Sequence, residues 1–239
     1  MPLFRGGFFY ALNMTITELL TRLHTLLEKD TDYPVVGDEE YTVRLELIKD
    51  AVQVWEKDDG NGTKWRELFT NLSLASDGDK ITVAGTSSYD CPTDFVEAIG
   101  YVSIGTGDNT VYYQKIEPYL KKEYESAKKD AYYLTGNKKS GYHINLVNTI
   151  PAENGLTISY DYYKQATLPT LGTDVLEMDD EQFAVYWALA ELVKDEDQAL
   201  SSQYASIATQ KLDAMRLRNQ LIDPYQDNII SDSFTGFGR

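Results

Sequence analysis

The chain has 239 residues, 42% of them hydrophobic, which is enough to bury a sizeable core in one large domain or two small ones. With 38 acidic against 22 basic side chains its formal net charge is -16, which argues against nucleic-acid binding by phosphate neutralisation, since that needs clustered Lys and Arg. A single cysteine, Cys91, rules out an intramolecular disulfide and a cysteine-based metal site, and no run reaches the roughly 20 apolar residues of a membrane-spanning helix.

Residues 1–14 form an apolar arm with Phe8, Phe9 and Tyr10. Arg5 and two glycines interrupt it, so it reads as neither a signal peptide nor a membrane span. Thr15 begins the first predicted helix, and Glu18 three residues later completes a capping-box pattern. Ile16, Leu19, Leu20, Leu23, Leu26 and Leu27 then share one face, with His24 expected on the polar side. A breaker over 30–37, carrying Pro34, separates this helix from a second one predicted over 38–58. There Tyr41, Leu45, Ile48, Val52 and Trp55 repeat at helical spacing. Residues 58–62 are the strongest turn signal, and Trp65, Leu68 and Phe69 suggest a short helical turn after it.

From Lys80 the period changes. The segments 81–84, 99–104, 111–116, 131–134, 142–147 and 156–164 are short and rich in β-branched or aromatic residues, with turn residues between them, as in an antiparallel sheet. Between two of them, 117–129 carries Pro118 at a plausible first helical position and reads as a short surface helix. Helical spacing returns after Pro169. Phe183, Tyr186, Trp187, Ala190 and Val193 mark a third long helix beginning near Asp179, and Leu200, Tyr204, Ile207, Ala208, Lys211, Leu212 and Met215 mark a fourth. The corner at 194–197 allows only an antiparallel connection.

The fold class expected is therefore α+β: an antiparallel helical bundle from both chain ends, an inserted antiparallel β domain, and an extended C-terminal tail. The corresponding boundaries are 1–14 for the arm, 15–76 and 169–222 for the helical body, 77–168 for the insertion and 223–239 for the tail. Leu23, Ile48, Trp55, Phe183, Trp187 and Tyr204 are the expected helical core.

An enzyme is not expected. His24 and His143 lack a histidine neighbour for a zinc pair, and there is no G-x-S-x-G, H-E-x-x-H or P-loop lysine. Gly105 and Gly107 imitate a phosphate loop, but Thr110 stands where the third glycine is needed. Aligning Gly60 with the glycine of an EF-hand loop puts Trp55, Lys57 and Arg66 at ligand positions. The acidic pairs Glu39, Glu40 and Asp179, Asp180 fit helix starts better than a glycosidase dyad. No catalytic, cofactor or metal residues are assigned. The tyrosines Tyr101, Tyr112, Tyr113, Tyr132, Tyr133, Tyr142, Tyr160, Tyr162 and Tyr163 suit a half-buried sheet face, with protein contact favoured over sugar binding for those left exposed.

The run Ser88, Tyr89, Asp90, Cys91, Pro92, Thr93, Asp94, Phe95 is followed by the strand at Tyr132 and Tyr133, the segment 142–146, Pro151 before a turn, and the strand 156–163 with its loop into paired helices. In this order of elements, over residues 15–221, the chain resembles the adaptor, or head-to-tail connector, proteins of tailed bacteriophages. The resemblance implies a virion protein made in the host cytoplasm that forms a ring, dodecameric in this family, between the portal protein and the neck or tail components. Genomic DNA would pass through the acidic lumen without specific binding, and no membrane is involved. It also implies that the tail grips the portal, with Ile229, Ile230, Phe234 and Phe237 as apolar anchors. The alternatives are a neck or tail-completion protein at another level of the particle, or a receptor- or carbohydrate-binding virion module.

Overall fold

The structure, a computed structural model, describes residues 14–29, 32–58 and 62–221. In chain order its helices are α1 (Ile16–Leu27), α2 (Glu39–Lys57), α3 (Lys121–Ala127), α4 (Gln182–Leu192) and α5 (Gln198–Leu221). Its strands are β1 (Phe69–Asn71), β2 (Ser88–Asp90), β3 (Phe95–Ile104), β4 (Val111–Lys115), β5 (Ala131–Asn137), β6 (Gly141–Val147) and β7 (Ile158–Lys164). Chain contacts divide the molecule into two units: residues up to Glu67 together with those from Thr167 make a helical unit, and Leu68–Ala166 makes a sheet unit.

In the helical unit the capping box at the start of α1 forms as its sequence predicts. The Glu18 N–H donates to Thr15 Oγ1 at 3.3 Å, and the Thr15 N–H donates to Glu18 Oε2 at 2.7 Å. α1 buries Ile16, Leu19, Leu20 and Leu23, and α2 buries Tyr41, Leu45, Ile48, Ala51, Val52 and Trp55. α4 contacts α1, α2 and α5. It buries Phe183, Ala184, Val185, Ala188, Leu189 and Ala190, more than one stripe, because a helix enclosed by neighbours must be apolar nearly all round. Tyr186 and Trp187, read from the sequence as part of one buried face, are consequently only half-buried. The turn into α5 is closed by Asp197, whose Oδ1 accepts from the Leu200 N–H at 3.0 Å, while Ser201 Oγ donates to the Ala190 carbonyl at 2.9 Å.

His24 departs from its expected polar-face position. It is buried on α1, and its Nδ1 lies 2.7 Å from the guanidinium of Arg44, itself buried on α2. Two polar groups at facing positions of the two helices satisfy one another, which lets each leave water.

The sheet unit holds one seven-stranded sheet in the order β1-β7-β3-β4-β5-β6-β2. The expectation of a wholly antiparallel sheet is corrected at one place: β4 and β5 pair in parallel, Gln114 opposite Ala131 and Lys115 opposite Tyr132. A parallel pair needs a crossover, and the segment holding the 3-10 turn Pro118–Leu120 and α3 supplies it. The predicted strand at 81–84 is only a single bridge, from Ile81 to Thr157, whereas the three-residue edge strands β1 and β2 are too short to announce themselves by alternation.

The sheet curls. Phe95 on β3 reaches Tyr142 on β6 with ring centroids 5.5 Å apart, although β4 and β5 lie between those strands in the sheet. Inside the curl Leu72, Tyr89, Phe95, Val102, Tyr113, Tyr132, Ile144, Tyr160 and Tyr162 pack as one core. A smaller cluster of Ile116, Ala131 and Val147 is covered by Leu120, Tyr124 and Tyr133.

Candidate functional site

Three places carry chemistry beyond simple packing. The first is the end of α5, from which the chain runs on toward the C-terminal segment. α2 ends at Asp58 in the left-handed conformation, φ 41°, and its carboxylate is buried. Arg216 of α5 donates to it, from Nε at 2.9 and 3.1 Å and from the second guanidinium nitrogen as well. These bonds raise the pKa of Arg216 further, so the cation is permanent. One turn on, Asn219 donates to the Lys64 carbonyl at 2.8 Å and accepts from the Arg66 N–H at 3.1 Å. Arg218 pairs with Asp179 at 2.8 Å and Lys211 with Asp180 at 3.1 Å. Below this junction Trp55 and Trp65 stack at 5.4 Å, and the Trp65 indole N–H donates to the Trp55 carbonyl at 2.7 Å. α5 is thus held to its neighbours by ion pairs along its last three turns. The proposed anchors Ile229, Ile230, Phe234 and Phe237 lie outside the described residues.

The second place is a cavity of about 320 Å³ lined by residues of α1, α2 and the loop between them. Leu20, Pro34, Val35, Val36 and Tyr41 make it apolar, and Thr17, Thr21 and Arg44 supply its polar atoms. Val35 and Val36 are 65% and 77% exposed, unusual for adjacent β-branched residues in a loop. Arg44 pairs with Glu40 and Glu28 and touches His24, but its Nε is buried without a partner. Beside the cavity runs the segment entering α4. Asp174 Oδ2 accepts from the N–H groups of Leu171 and Thr170, both at 2.8 Å, which hold its carboxyl below the usual range. The Asp174 and Gly172 carbonyls then accept from the N–H groups of Ile16 and Thr17 at 2.8 and 2.9 Å. Gly172 is required by close approach, since a Cβ there would lie 2.5 Å from Thr17 Oγ1. Leu171 and Val175 are exposed on this segment.

The third place is the sheet. The run from Ser88 to Phe95 proves architectural. The Tyr89 hydroxyl donates to the Thr86 carbonyl at 2.8 Å, Asp90 meets His143 at 2.7 Å, and Asp94 accepts from the Tyr162 hydroxyl at 3.0 Å. Phe95 packs against Tyr142, Tyr160 and Tyr162. Burial pushes the Cys91 thiol up to about 12 and raises Tyr160 and Tyr162 as well, so these groups stay neutral. Tyr113, Tyr132, Tyr160 and Tyr162 are fully inside, whereas Tyr101 and Tyr112 stand exposed on the opposite face of the β3–β4 pair. Among the described residues no group of three or more His, Cys, Asp and Glu could hold a metal ion, and no helix is long and apolar enough to cross a membrane.

Of the six residues named for the helical core, Leu23, Ile48, Trp55 and Phe183 are buried, and Trp187 and Tyr204 are half-buried. The Asp58–Arg216 contact has no signature in the sequence, because 158 positions separate the partners and no local pattern links them. Arg44 left a faint trace: it sits among Tyr41, Leu45 and Ile48 on the apolar stripe of α2, where an unpaired charge would be costly.

No curated protein matches the chain. The family of SU10 adaptor proteins matches residues 14–228, nearly all of it and both units. A virion protein of this kind associates with other virion components. The chain belongs to the SU10 adaptor protein family and is a structural adaptor protein of a bacteriophage virion.

Proposed function

We propose that this protein forms the head-to-tail adaptor ring, dodecameric as in the resemblance above, between the portal and the neck or tail. The observation that carries the reading is the SU10 adaptor family match over residues 14–228. The helical unit, residues up to Glu67 and from Thr167, builds the ring and lines the channel. The sheet unit over Leu68–Ala166, which begins just ahead of β1 rather than at residue 77 as expected from the sequence, meets the next component, and the tail over 223–239 grips the portal. Closed rotational symmetry then leaves no free subunit edge.

Electrostatics supports the channel. Glu39, Glu40, Glu46 and Asp50 are exposed on α2, and the whole chain carries -16, so passing DNA is repelled rather than bound. The junction around Arg216 and Asn219 supports the docking arm, because a tail leaving a fixed helix end presents its anchors from a defined origin. Exposed Tyr101 and Tyr112 supply aromatic contact area for a neighbouring protein.

The test is to mix the purified protein with its portal and image the product. Rings seated on the portal are expected, and deletion of residues 225–239 should leave the melting temperature unchanged while weakening attachment. Portal attachment of wild-type strength by the truncated chain would remove the tail from this role. A chain that binds cells or glycans and never portals would overturn the adaptor-ring reading itself.

A further inference from the structure

We infer that the cavity between α1, α2 and their connecting loop is the seat of the chain's own N-terminal segment, residues 1–13, with Phe8, Phe9 or Tyr10 as the inserted side chain. The inference does not rest on the portal reading and concerns a different part of the molecule.

Position is the first argument. Residues 1–13 join the described chain at Met14, and Thr17, in the first turn of α1, lines the cavity. The junction itself is held in place: Thr15 bridges Val175, the Ile16 N–H donates to Asp174, and Gln182 Nε2 approaches Met14 Sδ at 3.7 Å. A thirteen-residue segment spans at most about 45 Å, so its aromatic residues begin within reach of the opening, at an effective concentration of order millimolar.

Fit is the second. About 320 Å³ is at the lower end of the range for small-molecule sites, roughly 300 to 1,000 Å³. Most of the lining is aliphatic or aromatic, with Thr17, Thr21 and Arg44 as its polar members, which suits one or two aromatic side chains, a tyrosine hydroxyl included, better than a polar cofactor. Val35 and Val36, exposed at the opening, would be covered by the same event.

Charge selects this occupant over the other chain end. The Arg44 cation in the wall is offset by its two partners, Glu40 and Glu28, so Asp38, whose Oδ2 accepts from the Val35 N–H at 2.8 Å, and the exposed Glu39 leave the surroundings acidic. Residues 1–13 contain Arg5 and no acidic residue, whereas 223–239 carries Asp223, Asp227 and Asp232 against one arginine. The basic segment is attracted and the acidic one repelled.

The experiment uses the full chain with Val36→Cys as a reporter; Cys91, buried and with its thiol raised to about 12, contributes little background. Labelling by a maleimide should be about tenfold slower in the full chain than in a chain starting at Met14, because the site would then open only a minority of the time. The triple substitution Phe8→Ala, Phe9→Ala, Tyr10→Ala should reproduce the fast rate in a chain of full length, which keeps the test valid if the truncation folds poorly. Protection should survive hundredfold dilution. Equal rates in all three proteins would overturn the inference, and protection lost on dilution would overturn the assignment to the chain's own segment in favour of a second copy's.

Discussion

The carboxylate of Asp58, buried at the end of α2, is held by Arg216 of α5 from Nε at 2.9 and 3.1 Å, across 158 positions of sequence. Asp58 also adopts φ 41°, a conformation that favours glycine, so the side chain repays a strained backbone by fixing a distant helix. Removing one member of such a pair strands a buried charge. Arg216→Ala should therefore cost about 3 kcal/mol in urea denaturation, with Thr63 still donating to Asp58 and limiting the loss. Adding Asp58→Asn to that variant should recover part of the cost, since the orphaned charge is then gone. A loss below about 0.5 kcal/mol, the range of ordinary surface substitutions, would mean the pair does not hold α5.

Two tryptophans on neighbouring helices should respond differently. Trp55 is 1% exposed and stacked on Trp65, so Trp55→Ala should destabilise by about 3 to 5 kcal/mol. Trp187 is half-buried on α4, and Trp187→Ala should cost clearly less, about 1 to 2 kcal/mol, because less apolar area returns to water. Chemical denaturation of both variants checks the order. Equal losses would show that Trp187 is covered in solution by something more than the described residues.

Regular period was what made the sequence legible. α1, α2 and α5 were readable because Leu19, Leu23, Ile48, Val52, Ala208 and Leu212 recur every three or four residues, and the Thr15–Glu18 cap is a local pattern. α4 is legible in the sequence but its buried face is not, since enclosure on several sides erases the stripe. The parallel β4–β5 pair could not be read, because strand direction depends on where the crossover through α3 returns the chain. Edge strands of three residues carry too little alternation, and the His24–Arg44 and Asp58–Arg216 contacts exist only after distant helices pack. The Ser88 to Phe95 run carries a family resemblance in the sequence while its work is hidden there: Phe95 and Asp94 organise the tyrosines of a curled sheet.

Three carboxylates give opposing acid responses. Thr15 holds Glu18 below the usual range, chiefly through its backbone N–H, and the N–H groups of Leu171 and then Thr170 do the same for Asp174. With folded pKa values below the unfolded ones, their contribution is complete above the unfolded values near about 4 and is lost as pH falls through the lowered folded values. Glu181 has the opposite sign. Burial raises its pKa, so the proton is bound more tightly in the folded state, and the stability this gives is present at low pH and lost as pH rises through the raised value. Glu181→Gln, which mimics the protonated form, should raise the melting temperature at pH 7, and the gain should shrink toward pH 4. Glu18→Gln and Asp174→Asn should lower the melting temperature at pH 7 and flatten its fall in acid. Thermal melts from pH 3 to pH 7 distinguish the two behaviours. A Glu181→Gln variant that loses stability at neutral pH would show that its carboxylate holds the start of α4 through a bond stronger than the cost of its burial.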